Sequence, residues 1–463
     1  MIRIFFPKML SIALTLAWWS VGDVLAQSRL TFHDFLDEVM QYHPAARMSD
    51  QVLKQTQEAL LRTKGEFDPL ITSTFEQKQF AQKQYYSFWQ NSLQVPTRWG
   101  TQFTVGYDNN AGVFLNPQES LPKNGLYYVG IEQPLLKGLL YDERRAQLDL
   151  AINAIANGEQ DRRVIRNTLY VHAAQAYFQW LMNYRLQETR RQGFLLALER
   201  LEFVRQRQRL GDLPAVDTLE ALATSQNRQL DWAESVVELQ KSLIAVQAFR
   251  WDESGLPRDF SLLTEPDTLA VIFDQNNPHT GQNTRMEQQP ELSLQHLKIA
   301  ALEIDRRLSL EYIKPDLTLA YLPLRTASSE AAWFNDYKWK VGLKFPLLFR
   351  KGLGEKRSLE AKIVQEKWNL RDQENTFQAK LATAGMEISN WNQQVQLARN
   401  TVSLYDALLQ AERTRLAAGE SSLFLINARE SAFLSAQEKV FHLQRKFNMA
   451  WIHYYFISGT PVW

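Results

Sequence analysis

The sequence predicts a mainly α-helical chain that also carries a membrane β element, built as two internal repeats. A duplicated motif comes first: Gly130-Ile131-Glu132-Gln133-Pro134-Leu135-Leu136 returns as Gly342-Leu343-Lys344-Phe345-Pro346-Leu347-Leu348, and Glu143 and Arg145 recur as Glu355 and Arg357 at the same offset. Two proline-free stretches, Asp142 to Arg209 and Glu355 to Ala418, are each long enough for about 100 Å of helix. Finally, Lys338 to Phe345 alternates without a break, with Trp339, Val341, Leu343 and Phe345 on one face and Lys338, Lys340, Gly342 and Lys344 on the other. That is the pattern of a barrel strand between lipid and a wet lumen.

The elements follow in chain order. Arg3 and Lys8, an apolar run from Met9 to Val21, and Val24-Leu25-Ala26 predict a secretory signal peptide over 1–26, cut before Gln27. Thr31 and Asp34 open a short helix carrying Phe32, Phe35, Leu36 and Val39, which stops at His43-Pro44; Ala45 to Arg62 reads as a second helix. Asp68 to Thr72 is extended. Between Gln77 and Gly125 lie further alternating segments, Ser87 to Val95 and Gln102 to Tyr107, which suit either extra barrel strands or an elaborated hairpin. Tyr127, Val129 and Ile131 then alternate with Gly130 and Glu132. The first long helix follows, with a stripe of Leu169, Ala173, Ala176, Phe178, Leu181, Leu186, Leu195, Leu198, Leu201 and Val204 that predicts lateral, coiled-coil-like packing. A shorter helix, Ala215 to Phe249, completes the first repeat (27–250).

Residues 251–288, with Pro257, Pro266 and Pro278, read as a linker or equatorial element. The second repeat (289–463) runs through a helix from Glu291 to Leu310, an extended segment from Lys314 to Thr318, the alternating strand, a turn at Gly352-Leu353-Gly354, the second long helix, and a shorter one from Leu423 to Ile457. Tyr85, Tyr86, Phe88, Trp89 and Trp99, with Trp333, Phe334, Tyr337 and Trp339, gather at strand ends, where interfacial girdles sit.

Composition excludes several classes. The chain has no cysteine, so disulfides, thiolate metal sites and a lipidated N-terminal cysteine are not expected. After Ala26 no run approaches the length of a transmembrane helix. The balance of 52 Lys and Arg against 51 Asp and Glu argues against nucleic acid. The seven histidines lack metal-ligand spacing, Gly352-Leu353-Gly354 lacks the rest of a phosphate loop, and there is no nucleophile elbow. No enzyme activity, cofactor or metal is expected. A competing class is an exported helical scaffold of the periplasm or cell surface, which accounts for the helices but not for the strands.

Pro44 with Ala45, the strand-to-helix Gln133-Pro134-Leu135-Leu136, and two helix-turn-helix motifs, Arg207-Gln208-Arg209-Leu210-Gly211-Asp212 and Arg415-Leu416-Ala417-Ala418-Gly419-Glu420-Ser421-Ser422-Leu423-Phe424-Leu425-Ile426-Asn427-Ala428-Arg429, resemble in order and duplication the TolC family of outer-membrane efflux proteins. The resemblance covers nearly all of the chain after Ala26. It implies a homotrimer whose subunits share one transmembrane β-barrel and continue as a hollow periplasmic α-barrel. It also implies a location in the outer membrane of a Gram-negative bacterium, among outer-membrane lipid. The role implied is the passive channel of a tripartite efflux or type I secretion system, which an inner-membrane transporter of the RND, ABC or MFS type feeds through a periplasmic adaptor (membrane fusion) protein.

By the same resemblance the adaptor docks on the helix-turn-helix tips, Arg209 to Leu219 and Arg415 to Ile426, with Gly211, Asp212, Leu213, Gly419, Glu420 and Ser421 at the turns. Asp217 falls on an acidic gate position. At the matching places of the second half stand Leu425 and Ala428, with Ser421 where a basic partner would be, a departure from the family pattern. The expected gate is therefore Asp217 with Arg415 or Arg429, closed further by Phe424 or Leu425; Asp217 equally suits a helix start. Lys338, Lys340 and Lys344 are expected to line the lumen and bias it toward anions, with Glu132 on the paired strand offsetting part of their field.

Overall fold

The structure, a computed structural model, describes residues 29–258, 265–267, 289–326 and 334–458. The expected signal peptide, most of the 251–288 linker and Trp333 lie outside the described residues. The elements run β1 (Arg29–Leu30), α1 (Phe32–Tyr42), α2 (Pro44–Lys64), β2 (Leu70–Phe80), β3 (Lys83–Pro96), β4 (Gln102–Ala111), β5 (Leu126–Pro134), α3 (Glu143–Arg209), α4 (Ala215–Gln247), β6 (Glu265–Pro266), α5 (Pro290–Glu311), β7 (Asp316–Arg325), β8 (Asp336–Lys344), α6 (Arg350–Ala417) and α7 (Leu423–Ser458). The 67 residues of α3 and 68 of α6 each give a helical contour of about 100 Å. Among the described residues, no helix is long and apolar enough to cross a membrane. The chain divides into two compact units, each assembled from both halves of the sequence.

One unit, 48–165 with 285–379, contains a six-stranded antiparallel sheet in the order β2-β3-β4-β5-β7-β8. Both segments left open between Gln77 and Gly125 are strands of this sheet, β3 and β4. The pairing of β5 with β7 joins the two sequence halves. Corners between strands and helices are fixed by polar contacts. The Arg145 guanidinium donates to the carbonyls of Gly138 (2.6 Å) and Leu140 (2.7 Å), and it pairs with Asp142 at 3.2 Å. The Gly138 N–H donates to the Glu311 carboxylate. Gly352-Leu353-Gly354, expected as a turn, lies inside the first turns of α6, which begins at Arg350. A Cβ on Gly352 would meet the Tyr312 backbone at 3.0 Å, so close approach of α6 to the end of α5 is what the small residue serves.

The other unit, 1–47 with 166–284 and 380–463, is helical. Thr31 caps α1 by accepting from the Asp34 N–H at 3.1 Å, and His43, extended before Pro44, ends it. Phe32, Phe35, Leu36 and Val39 thereby reach Leu169, Ala173, Tyr177, Phe178 and Trp180 of α3, with Val246 of α4 and Ile452 of α7, in one buried cluster. The Tyr177 hydroxyl donates to the Leu30 carbonyl at 2.8 Å, which satisfies a buried polar group. A second cluster joins Ala384, Ile388 and Val395 of α6 to Val440, Phe447 and Trp451 of α7. The expected stripe on α3 holds at Leu169, Ala173, Phe178, Leu181, Leu186, Leu201 and Val204, but Leu195 and Leu198 are exposed and Ala197 is buried instead. The buried positions there are 197, 201 and 204, the i, i+4, i+7 spacing of one helix face.

Candidate functional site

Two places gather the residues singled out by the sequence: the sheet and the helix-turn-helix tips. In the sheet, strand register decides which side chains share a face. Trp339, Val341 and Leu343 stand opposite Tyr321, Leu319 and Leu317. Tyr321 stands opposite Ile131, which continues to Phe103, Val95 and the apolar row of Leu93 with Ile71. One face thus carries apolar or aromatic side chains on all six strands, interrupted where Ser73 and Asn91 stand opposite each other and hydrogen-bond. Exposed Ile71, Phe75, Trp339, Val341 and Leu343 have no core to cover them.

The opposite face carries Lys338, Lys340 and Lys344, with Thr104, Gln94, Asp108 and Glu132. It is mostly polar, as a solvated lumen requires, with Leu70, Phe88, Leu322 and Leu324 as apolar exceptions. The expectation for Glu132 needs correction: β5 pairs with β7, not with β8. Glu132 and Lys340 instead flank the same residue, Ala320, two strands apart. Glycines on this face are covered by large neighbours; a Cβ on Gly106 would collide with the Tyr128 ring at 2.2 Å.

At the tips the two turns have one construction. After α3, Gly211 (φ +81°) donates its N–H to the Gln208 carbonyl (3.0 Å) and Asp212 donates to the Arg207 carbonyl (3.0 Å). After α6, Gly419 (φ +77°) donates to Leu416 (3.0 Å) and Glu420 to Arg415 (2.9 Å). This is the Schellman cap, in which a left-handed residue satisfies the last helical carbonyls. Both glycines face open space, so they are there for φ and not for room. Asp212 also pairs with Arg207 at 3.4 Å. Leu213 packs with Leu423 and Leu222 against Leu201, Val204 and Ala221.

Asp217 lies in the first turn of α4, its N–H bonded to the Pro214 carbonyl, where a carboxylate is favoured by the helix dipole. Among the described residues, neither candidate arginine pairs with it. Arg415 and Arg429 both turn to Glu412, each at 3.9 Å, and Glu412 accepts from the Ser421 hydroxyl. Glu412 is buried, and nothing in the sequence sets it apart from the other carboxylates of α6. Phe424 and Leu425 are exposed.

Above the tips, arginines of α3 run along α7. Arg185 donates to Gln444 at 2.6 Å, Arg190 pairs with Glu438 at 3.0 Å, and Arg200 pairs with Glu430 and also donates to Asn427. Burial works against the charge on Arg190, but the carboxylates of Glu438, Asp231 and Glu234 together more than offset it and raise its pKa. The Arg200–Glu430 pair is the most enclosed, at 14% and 3% side-chain exposure. A cleft of about 370 Å³ between α4 and α7 is lined by Glu220, Arg228, Asp231, Phe424, Asn427 and neighbouring residues. Among the described residues, no group of three or more acidic or histidine side chains could hold a metal ion.

No protein-family model matches the chain, and no curated protein matches it by sequence. Solved structures do match. The Campylobacter jejuni CmeC outer membrane channel is similar at a TM-score of 0.65 and 11% identity, over 92% of this chain and 85% of that one. The outer membrane protein VceC of Vibrio cholerae gives 0.64 and 14%, over 92% and 95%. The open state of the Neisseria gonorrhoeae MtrE outer membrane channel gives 0.64 and 11%, over 92% and 88%. The chain has the fold of these channels, and the resemblance to the TolC family holds at that level.

Proposed function

We propose that the chain is the outer-membrane channel of a tripartite efflux or type I secretion system in a Gram-negative bacterium, a passive conduit that acts as a homotrimer. The observation that carries this reading is the six-stranded sheet with one mainly apolar face and one mainly polar face, which feeds two helices of about 100 Å each. Such a sheet, embedded in lipid, satisfies its backbone only when closed into a barrel. Helices of that length are on the scale of the periplasm, and exposed Leu195, Leu198 and Phe203 on α3 offer apolar surface for lateral packing between copies. The repeats are assigned to 27–250 and 289–463, joined by 251–288. Partners are a periplasmic adaptor at the Gly211 and Gly419 tips and an inner-membrane transporter of the RND, ABC or MFS type.

Transport needs no covalent step here, so no residue is given a catalytic role. Solute passes by diffusion through a pore whose width and charge select it. The test is single-channel recording on protein taken from the outer-membrane fraction. Conductance without nucleotide or other energy supply is expected; protein that is recovered in the soluble fraction and conducts nothing overturns the reading.

Two narrower expectations accompany it. Replacing Lys338, Lys340 and Lys344 together by Gln should move the reversal potential in a salt gradient toward cation preference, and an unchanged potential would remove these lysines from the lumen. At the tips, the gate is assigned to Asp217, Phe424 and Leu425, with Arg415 and Arg429 positioned by Glu412. Asp217→Ala and Glu412→Gln should each raise the leak of the resting channel. A leak and conductance equal to those of the unsubstituted protein would return Asp217 to the simple role of a helix-start carboxylate.

A further inference from the structure

The sheet has two free edges. In the order β2-β3-β4-β5-β7-β8, strands β2 and β8 each have a partner on one side only among the described residues. Both edges are long and display exposed apolar side chains: Ile71 and Phe75 on β2, Trp339 and Leu343 on β8. Edges of this kind are covered or paired in a protein that persists. Because the strand number is even and all neighbours are antiparallel, β2 and β8 run in opposite directions. Strand β8 of one copy can therefore continue antiparallel into β2 of the next, with the polar face still facing the same side.

The register within the chain restricts how that join is made. A line perpendicular to the strands passes from Leu70 to Gln94, Thr104 and Gly130, crosses to Leu322, which the flanking pairs Tyr128–Leu324 and Ile131–Tyr321 bring level with Gly130, and reaches Lys338. Leu70 is the first residue of β2, whereas Lys338 stands six residues before Lys344, the last of β8. Strand ends on the helix side thus step by six residues across one chain (344 − 338). Setting Lys344 against Leu70 of the next copy carries the step around the ring. It places Lys338 opposite Glu76 and Asp336 opposite Lys78 on the polar face, and Trp339 opposite Phe75 and Leu343 opposite Ile71 on the apolar face.

Other registers are worse. A shift of two residues one way opposes Lys338 to Lys78, and two the other way opposes Asp336 to Glu76; like charges directly opposite destabilise. A shift of one residue exchanges the faces. A step of six residues per six strands, with about 3.3 Å rise and about 4.8 Å between strands, tilts the strands by roughly 35°, within the range of transmembrane barrels.

We propose that copies of this chain join β8 to β2 in this register, Lys338 of one copy against Glu76 of its neighbour, and that three copies close a barrel of eighteen strands, six from each. The copy number rests on the trimeric channel proposed above; the join rests on strand register. A ring of about eighteen strands at this tilt is roughly 34 Å across between backbones.

The chain has no cysteine, so cross-linking reads the join directly. Directly opposed residues have Cα atoms about 4.5–5.5 Å apart, within disulfide reach. The double variant Glu76→Cys with Lys338→Cys, oxidised in outer membranes, is expected to give a covalent ladder that ends at trimer, while either single variant stays monomeric on a non-reducing gel. Cross-linking of Lys78→Cys with Lys338→Cys instead overturns the register, and a ladder that ends at dimer or passes trimer overturns the strand count. Protein that conducts in the outer membrane but cross-links at neither pair overturns the join and leaves the channel reading standing. Absence from the outer membrane defeats both. If the cysteine variants fail to assemble, Glu76→Lys with Lys338→Glu decides: each reversal alone should cut the heat-resistant oligomer several-fold and the pair should restore it, whereas no rescue contradicts the pairing.

Discussion

Replacing Val341 by Arg is expected to remove most of the assembled oligomer from the outer membrane. Val341 is near the middle of β8, stands opposite Leu319, and is exposed on the apolar face. A charged side chain at the bilayer midplane of a barrel costs about 2–4 kcal/mol, and every chain of an oligomer carries it, so the penalty is multiplied per assembled barrel. Thr104→Arg is the control, since Thr104 lies on the polar face opposite Gln94 and Gly130. That guanidinium meets water, and assembly should match the unsubstituted protein. Quantifying heat-modifiable oligomer in outer-membrane fractions checks both. If the two variants assemble equally well, or Thr104→Arg fails and Val341→Arg does not, the assignment of the faces is wrong.

Breaking the Arg200–Glu430 pair should have an effect of similar size on the tip region. Both side chains are largely enclosed, Arg200 also holds Asn427, and the pair ties α3 to α7 beside the Leu201, Val204 and Ala221 cluster. Removing one partner leaves a charge buried without its counterpart, at a cost of about 3–5 kcal/mol. Arg200→Met and Glu430→Leu should therefore each speed amide exchange over residues 196–208 and 423–434 by orders of magnitude. The double variant, with apolar side chains in both places, should recover most of the protection. Equal exchange in the singles and the double would show that the pair is not coupled.

How far the sequence announced this molecule can be read residue by residue. The alternation in Lys338 to Lys344 and in Leu126 to Gln133 was legible because a strand side chain has only two faces to choose between. The long helices were legible because proline is missing from them, and their caps because Gly211 and Gly419 are punctuation that any reader of turns recognises. Strand order was not legible. Nothing local tells Glu132 that β7 and Ala320 will come between it and Lys340, since that depends on pairing between residues nearly two hundred positions apart.

Helix faces were half legible. Leu195 and Leu198 look like members of the α3 stripe, but the buried residues are Ala197, Leu201 and Val204, and an alanine announces burial weakly. Glu412 and the Arg200–Glu430 pair were missed for the opposite reason. Charged residues are so frequent on α3 and α6 that a buried one carries no compositional mark until its partners on another helix are known. The Gly352-Leu353-Gly354 start of α6 reads as a turn because two glycines fall between a strand and a helix, whereas Gly352 permits the approach of Tyr312.

A shared-barrel channel is tested by native mass spectrometry of protein extracted in detergent from the outer-membrane fraction. A trimer of chains that begin at Gln27 is expected. A monomer or dimer recovered from the soluble periplasmic fraction would contradict it, because six strands with two apolar free edges cannot remain open in water as a stable single copy.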